Sequence, residues 1–168
     1  MRVFEENQKF TQSWLMIIIG ISLLVPLALT IKEWSEKTDK SMEANLDLII
    51  TLGIMCLVIA PIIFMKLKTR IDNLGVHYQF FPFHLKPKLI TWNEMEKVYV
   101  RKYNAVTEYG GWGLKGGFFY KERGIAYNVS GNLGIQIELK KGKKILIGTK
   151  QEEKVKQALN YNFNKDDA

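Results

Sequence analysis

The first stretch of this sequence whose residue types could do chemistry is rich in glycine. Residues 111–116 read GWGLKG, which matches the G-x-G-x-x-G spacing of loops that bind a dinucleotide pyrophosphate. Such a loop needs a helix that starts on it, because the helix N-terminus holds the phosphates. The chain continues as GGFFY over residues 116–120, and we expect no helix to begin there. The sequence therefore favours a structural role for these glycines, and no cofactor is expected.

Aromatic residues are interleaved with the glycines. The set that we interpret as an ordered structural loop is Tyr109, Gly110, Gly111, Gly113, Gly116 and Gly117. Glycine permits positive φ and close approach of two backbones, so it collects in bulges and sharp bends. Two interpretations of the aromatic side chains stay open. Trp112 is expected to fold back onto the β-structure, whereas Phe118 and Phe119 are expected to face a bilayer or a partner, because consecutive strand residues cannot both point inward.

Titratable side chains offer little for catalysis. His77 and His84 are the only histidines, and the single cysteine, Cys56, lies in an apolar run. We interpret both histidines as ordinary strand residues rather than metal ligands. An enzyme acting on a lipid or a phosphate ester would need a nucleophile with a base, or a metal cluster. We therefore expect no catalytic residue, no metal and no enzymatic activity.

A small polar network is also expected. Its members would be Arg101, Tyr103, Glu108 and Tyr127. Such a set is more typical of a partly buried, hydrogen-bonded network than of catalysis.

Two long apolar runs dominate the first part of the chain. Residues 15–31 and residues 48–65 carry no charge, and each run with its edges is long enough to cross a hydrocarbon core of about 30 Å as a helix. We predict a membrane hairpin over residues 14–65, with spans at about 14–32 and 46–65. Residues 1–13 form a separate N-terminal segment in this prediction.

The orientation of the hairpin follows from its flanking charges. Lys66, Lys68 and Arg70 come directly after the second run, whereas the connecting loop is predominantly acidic. The positive-inside rule therefore predicts cytoplasmic N- and C-termini and a multi-pass protein of the cell membrane.

Positive charge is concentrated after the hairpin. Residues 66–168 contain 19 basic and 10 acidic residues, a net charge of +9, whereas residues 1–65 have a net charge of −2. An anionic leaflet would attract such a unit by about 1 kcal/mol for each lysine or arginine close to its surface. No nucleic-acid recognition motif accompanies the charge, so no nucleic acid is expected.

The hydropathy pattern changes to a period of two after residue 66. We predict a mainly-β module over residues 66–163, a barrel or sandwich of about seven antiparallel strands, followed by a polar tail over 164–168. Its clearest part is a hairpin with strands at 134–139 and 144–148. Thr149 and Glu152 fit a capping box, and Val155, Ala158 and Leu159 form the apolar stripe of a final helix.

These segments resemble a known family. The order of the strands, the residues RGIAYNVSGNLGIQIEL at 123–139 and GKKILIGT at 142–149 are similar to bacterial pleckstrin-homology-like domains. YGGWG at 109–113 and the whole layout resemble a group of small bacterial membrane proteins with two N-terminal transmembrane helices and one such domain. The resemblance covers nearly the full length of the chain, and it implies a fold and a topology rather than an activity.

The expected function is that of a membrane-anchored, non-enzymatic binding or scaffold module. Its ligands would be anionic phospholipid headgroups or a protein, and a membrane-protein partner or a second copy of the chain stays open. The alternative is an accessory or assembly subunit of a larger membrane complex. The candidate lipid or partner surface consists of Trp112, Lys115, Phe118, Phe119, Lys121, Arg123, Lys140, Lys141, Lys143 and Lys144.

Overall fold

The chain folds into two compact units. A computed structural model describes residues 3–10, 12–36, 42–116 and 124–163. The helical unit is Phe10–Phe64, and the β unit combines Met1–Lys9 with Met65–Ala168.

The helical unit contains two long helices, α1 (Ser13–Glu36) and α2 (Met42–Phe64). Both are long and apolar enough to span a membrane, and no part of their most apolar windows is buried within the protein. The Trp34 Nε1–H donates to Asn45 Oδ1 at 3.0 Å and joins the end of α1 to the start of α2. The prediction of two long apolar helices is confirmed.

The first sheet of the β unit has four antiparallel strands in the order β1-β2-β3-β4. The strands are β1 (Phe4–Lys9), β2 (Lys66–Ile71), β3 (Gly75–Phe81) and β4 (Lys88–Thr91). A short 3-10 turn, Trp92–Glu94, leads from this sheet into the second one. The Trp92 Nε1–H donates to the Asp72 carbonyl oxygen at 3.1 Å, which ties that turn to the end of β2.

The second sheet has five strands in the order β5-β8-β9-β7-β6. The strands are β5 (Met95–Lys102), β6 (Gly113–Gly116), β7 (Ile125–Asn128), β8 (Leu133–Leu139) and β9 (Lys144–Gly148). A short helix, α3 (Ala105–Tyr109), lies between β5 and β6. β7 pairs with β9 in parallel, and the other pairs are antiparallel.

The final helix, α4 (Glu152–Phe163), packs against β5, β1 and β2. Its stripe of Val155, Ala158 and Leu159 is buried, as the sequence predicts. The two sheets bury alternate side chains between them, among them Leu67 and Phe80 from the first sheet. Burial of such apolar side chains contributes most of the stabilisation of a core of this kind.

Strand registers define two ends of the β unit. In the first sheet Lys9 pairs with Lys66, and Lys66 pairs with Phe81. We call this the junction end, because the helical unit joins the chain between Lys9 and Met65. In the second sheet Gly148 lies at the junction end, since the Gln8 Nε2–H donates to its carbonyl oxygen at 2.8 Å. Lys144, at the other end of β9, lies at what we call the far end.

The strand content differs from the sequence prediction in two respects. Among the described residues, the predicted module at 66–163 contains eight strands rather than about seven, β1 adds a ninth, and the strands form two separate sheets that are not closed into a barrel. The parallel β7–β9 pair also departs from an all-antiparallel arrangement. The predicted hairpin of strands 134–139 and 144–148 is present as β8 and β9, because its unbroken alternation fixes one buried face.

The N-terminal segment is the largest difference. The prediction separates residues 1–13 from the module, whereas Phe4–Lys9 forms β1 at the edge of the first sheet. Its inward-facing side chains are Phe4, Glu6 and Gln8, of which two are polar. Hydropathy therefore shows no alternation there, although the burial pattern alternates perfectly.

Candidate functional site

Four lysines of the predicted surface come together at the turn between β8 and β9. Lys140, Lys141, Lys143 and Lys144 are all exposed, and we call them the lysine hairpin. The turn is closed by a hydrogen bond from the Gly142 N–H to the Leu139 carbonyl oxygen at 2.7 Å. The Lys140 N–H donates to the Glu94 carbonyl oxygen at 3.0 Å, which fixes the turn against the 3-10 segment. The lysine hairpin lies at the far end of the β unit.

The remaining cations and aromatics of the predicted surface are only partly described. Lys115 is half-buried in β6, where it pairs with Ala126 of β7. Gly117, Phe118, Phe119, Lys121 and Arg123 lie outside the described residues. The segment that contains them leaves β6 at Gly116 and returns at Gly124, next to Lys144. Its two ends therefore lie beside the lysine hairpin.

Trp112 lies near the opposite end of the sheet from the lysine hairpin. Its ring is partly buried against a cluster of Tyr103, Ala105, Tyr109, Ala126 and Leu146. The indole Nε1–H donates to the Gly131 carbonyl oxygen at 3.3 Å. The next residue, Gly113, is close to the side chain of Met65, the first residue after α2. Trp112 thus folds back onto the β unit, close to the junction end.

The glycine-rich loop has a structural explanation at two positions. Gly110 ends α3 in the left-handed conformation with φ 73°, which glycine adopts without strain. Gly116 has φ 104°, and a Cβ there would lie 2.2 Å from the carbonyl oxygen of Gly124 on the paired strand. The residues Gly113–Gly116 form strand β6 and not the start of a helix. This geometry excludes the dinucleotide interpretation, because the phosphate-binding helix is replaced by a strand.

Arg101 forms a compact polar network with neighbours on α3 and β8. Its guanidinium donates to Glu108 Oε2 at 2.8 Å, to the Tyr109 hydroxyl at 3.2 Å and to Gln136 Oε1 at 3.0 Å. Burial acts to lower the pKa of Arg101, but the bonded Glu108 raises it overall, so the group keeps its charge. The network fixes α3 over the sheet, which supports a structural role.

The predicted membership of this network is half right. Arg101 and Glu108 pair as expected, and the Tyr103 ring contacts Tyr109 at 6.1 Å between centroids. Tyr127 lies elsewhere and packs against Tyr78 and His84. The assignment of Tyr127 failed because it depends on which strands pair, which local sequence does not determine.

A groove of about 710 Å³ on the outer face of the first sheet is a site that sequence reasoning missed. Its floor is polar because the outward positions of β1, β2 and β3 carry charged and amide side chains. Those that define its chemistry are Glu5, Lys68, Arg70, Asp72, His77 and Gln79. The sequence pattern that could have predicted this groove is KLKTRID at 66–72, in which every second residue, starting from Lys66, is charged.

Asp72 is the centre of an ion-pair network in this groove. It accepts hydrogen bonds from the Leu74 N–H at 3.0 Å, from Arg70 Nε at 3.1 Å, and contacts His77 Nε2 at 3.1 Å. Burial alone would raise the pKa of Asp72, but these bonds and the neighbouring charges lower it overall. Arg70 also contacts Glu5 at 3.4 Å. Its charge is thus already matched by two carboxylates, which leaves little of it for an added anion.

The two histidines are in different environments. His77 lies in β3, as expected, whereas His84 lies in the loop between β3 and β4 and is buried against Tyr78 and Tyr127. Burial lowers the pKa of His84, and the nearby charge of Lys88 adds to this effect. Among the described residues no group of three or more histidine, cysteine, aspartate or glutamate side chains is placed to hold a metal ion.

The β3–β4 loop, residues 82–87, is a second feature that sequence reasoning did not single out. The prediction treats it as an extended piece between Pro82 and Pro87, but it is a folded turn at the junction end. Phe83 is 59% exposed and Leu85 is 78% exposed, in contrast to His84 between them. Two large apolar side chains exposed close together in an ordered loop can form part of a contact surface.

Comparisons with known proteins do not assign the chain to a family. No protein-family model matches the chain, and a search of curated proteins finds no similar sequence. The function is therefore inferred from geometry and charge.

Proposed function

We propose that this protein is a membrane-anchored, non-enzymatic binding or scaffold module. Two apolar helices hold a basic, pleckstrin-homology-like β unit at the inner surface of the cell membrane, with both termini in the cytoplasm. The ligands are anionic lipid headgroups or a protein partner. The observation that carries this proposal is the antiparallel pairing of β1 with β2, which brings both ends of the helical unit into one sheet.

This pairing restricts the topology. Lys9 pairs with Lys66, and these residues are separated from the helices by a few residues on one side and by Met65 alone on the other. A helical pair that leaves a sheet and returns to the same end of it must begin and end on one face of a bilayer. Lys66, Lys68 and Arg70 at the return point favour the cytoplasmic face.

Two attachments also restrict the motion of the β unit. A domain on one flexible linker samples many orientations, whereas a sheet joined to the helices at two adjacent strands samples fewer. Such tethering raises the effective concentration of any membrane-resident ligand without new contacts. This is the physical basis for a role in presentation and binding.

The pleckstrin-homology-like assignment is supported by the arrangement of layers. Two mainly antiparallel sheets bury a common core, and a C-terminal helix packs against strands of both. The extra strand β1, the parallel β7–β9 pair and the separation of the two sheets are departures from the pattern that the resemblance implies.

The position of the lysine hairpin favours a partner away from the bilayer for that surface. β9 is five residues long, so Lys144 and Gly148 are about 13 Å apart at about 3.3 Å per residue. The screening length at physiological ionic strength is about 8 Å. We therefore infer that charges at the far end of β9 interact less with the leaflet than charges at the junction end do, which favours an acidic protein surface as the partner of the lysine hairpin.

The alternative is an accessory or assembly subunit of a larger membrane complex. An added Cβ at Gly20 of α1 or at Gly53 of α2 would meet no described atom within 4 Å. Small residues that face open space allow close approach of another helix. In this alternative the apolar helices, rather than the lysine hairpin, contact the partner.

Site-directed cross-linking in native membranes tests the proposal. Cys56→Ser removes the only cysteine, and Lys141→Cys then places a single thiol on the lysine hairpin. A membrane-impermeant maleimide should label this thiol only after the cells are opened. A benzophenone maleimide at the same thiol should then form an adduct with a phospholipid or with a protein.

The matched control keeps the probe and removes the neighbouring charges. Lys140→Gln, Lys143→Gln and Lys144→Gln in the Lys141→Cys background should reduce the adduct several-fold, because the lysine hairpin then carries no charge. An adduct yield that is independent of these charges would refute a binding role for the lysine hairpin. Labelling of Lys141→Cys in intact cells would refute the cytoplasmic location. Adducts obtained only from Leu57→Cys in α2, with another membrane protein, would favour the assembly subunit.

A further inference from the structure

The β3–β4 loop lies where the chain meets its apolar helices. Phe81, the last residue of β3, pairs with Lys66, and Lys66 follows the end of α2 by two residues. The loop of residues 82–87 continues directly from Phe81. Lys66 also places its ammonium group 5.3 Å from the centre of the Phe81 ring. The loop therefore begins at the level of the strand end from which the helix departs.

This loop is held in one conformation. The Gln79 side-chain amide donates to the His84 carbonyl oxygen at 3.1 Å and to the Leu85 carbonyl oxygen at 2.9 Å. The His84 N–H donates to the Phe80 carbonyl oxygen at 2.8 Å, and the His84 ring is buried against Tyr78. His84 is buried, whereas its neighbours Phe83 and Leu85 are largely exposed, and one side of the Phe83 ring stacks on Phe80 with 5.8 Å between ring centroids.

The outward residues combine apolar and basic chemistry. Phe83 and Leu85 are 59% and 78% exposed, and Lys86 and Lys88 follow them on the exposed side of the loop. Exposing two large apolar side chains to water is unfavourable, and a preorganised loop loses little conformational freedom when it binds. An apolar pair beside lysines matches the boundary between acyl chains and anionic headgroups.

We propose that the β3–β4 loop is a membrane-insertion loop. Phe83 and Leu85 enter the interfacial layer of the bilayer that holds α1 and α2, and Lys86 and Lys88 contact its phosphate groups. The proposal rests on the membrane anchorage of the proposed function and adds a third contact to the two covalent ones.

The length of β2 separates this loop from Leu74, an exposed apolar residue in the turn between β2 and β3. β2 is six residues long, so its ends are about 17 Å apart at about 3.3 Å per residue. The polar layer on each side of a bilayer is about 5 to 8 Å thick. Leu74, which is 56% exposed, lies beyond the end of β2 that is remote from the helices. It is therefore a matched apolar site that should stay in water.

Fluorescence of the full chain in vesicles tests the loop. A single cysteine is introduced into the Cys56→Ser protein as Phe83→Cys, Leu85→Cys, Leu74→Cys or Leu57→Cys, and each is labelled with an environment-sensitive nitrobenzoxadiazole dye. The proteins are reconstituted in phosphatidylcholine vesicles that contain phosphatidylglycerol. Quenching is measured with and without lipids that carry a nitroxide on the acyl chain.

The expected result is strong quenching and blue-shifted emission at positions 57, 83 and 85, and neither effect at position 74. Quenching at 57 without quenching at 83 or 85 would overturn the insertion loop and leave the anchorage intact. Absence of quenching at 57 would instead refute the anchorage itself, and with it the bilayer contact of the loop. Blue-shifted emission at 83 and 85 without lipid quenching would show that protein covers them, which would also overturn the proposal.

Discussion

The contact between Glu6 and the start of α4 gives the sharpest stability prediction. The Thr149 hydroxyl donates to Glu6 Oε2 at 2.6 Å, and the Lys150 N–H donates to Glu6 Oε1 at 2.9 Å. Glu6 is 8% exposed. The Thr149 oxygen in turn accepts the Gln151 N–H at 3.2 Å. A carboxylate from the first strand therefore fixes the segment Thr149–Gln151 that leads into the last helix. The capping box predicted for Thr149 and Glu152 is not formed, because the helix begins at Glu152 and the Thr149 oxygen accepts the Gln151 N–H.

The magnitude follows from the two hydrogen bonds. A hydrogen bond to a charged group contributes about 1.5 to 3 kcal/mol, and removal of one partner leaves the other buried group without its bond. We expect Glu6→Ala to lower the free energy of unfolding of the β unit by about 3 kcal/mol. Glu6→Gln has nearly the same shape and keeps one acceptor oxygen, so it should lower the free energy of unfolding by about half as much as Glu6→Ala.

The assay is urea unfolding of the full chain in detergent micelles, followed by near-ultraviolet circular dichroism and pulse proteolysis. With a slope of about 1.5 kcal/mol per molar urea, a loss of about 3 kcal/mol lowers the midpoint by about 2 M. Glu5→Gln is the matched control, because Glu5 is the neighbouring residue on the same strand and its contact with Arg70 is exposed. It should cost less than about 1 kcal/mol.

A midpoint for Glu6→Ala equal to that of Glu5→Gln would refute the reasoning. A double-mutant cycle makes the test stricter. If Glu6 and Thr149 act through their shared hydrogen bond, Glu6→Ala combined with Thr149→Ala should cost less than the sum of the two single changes. Strict additivity would show that this bond does not couple β1 to the segment before α4.

Two further predictions concern the backbone and acid stability, and both use the same urea assay. Gly116→Ala should lower the free energy of unfolding by about 3 kcal/mol or more, because its Cβ would clash with the carbonyl oxygen of Gly124. Gly131→Ala, at φ 80° in open space, is the control and should cost about 1 kcal/mol. Equal costs for the two variants would contradict the close approach of β6 and β7. Asp72→Asn should lower the urea midpoint more near neutral pH than in acid. The pKa of Asp72 is lowered in the folded protein, so its carboxylate stabilises the fold fully above about pH 4, and this stabilisation is lost as the pH falls through the folded-state pKa. A difference between the two proteins that did not shrink below about pH 4 would contradict that assignment.

Local pattern was sufficient where one face of an element is apolar. Residues 134–139 alternate without interruption, and the stripe on α4 has a helical period, so β8, β9 and α4 were predicted at nearly their observed positions. The two long helices were predicted from a different local property, the length of their uncharged apolar runs, because a run of that length is typical of a membrane-spanning helix. In β8, β9 and α4, the pattern of apolar residues in the sequence therefore matches the pattern of buried side chains in the structure.

Pattern failed where polar side chains are buried or where pairing is non-local. Glu6 and Gln8 occupy inward positions of β1, and their burial is compensated by Thr149, Lys150 and Gly148, more than a hundred residues away in the chain. No window of the sequence that contains β1 includes these partners. The parallel pairing of β7 with β9 is hidden for the same reason, because strand register depends on contacts across the sheet.

The candidate surface shows that the net charge of a segment predicts a binding surface less well than the positions of its charged residues do. The net charge of the second part of the chain predicts attraction to an anionic leaflet, but it assigns no lysine to a distance from that leaflet. The register gives positions within the β unit: the lysine hairpin lies at the far end of β9, and the β3–β4 loop that contains Lys86 starts at the junction end. Charges separated by more than about 8 Å are largely screened from each other, so the position of each lysine matters as well as the number of charges. In the proposed arrangement, the lysines at the two ends of the β unit would therefore serve different contacts.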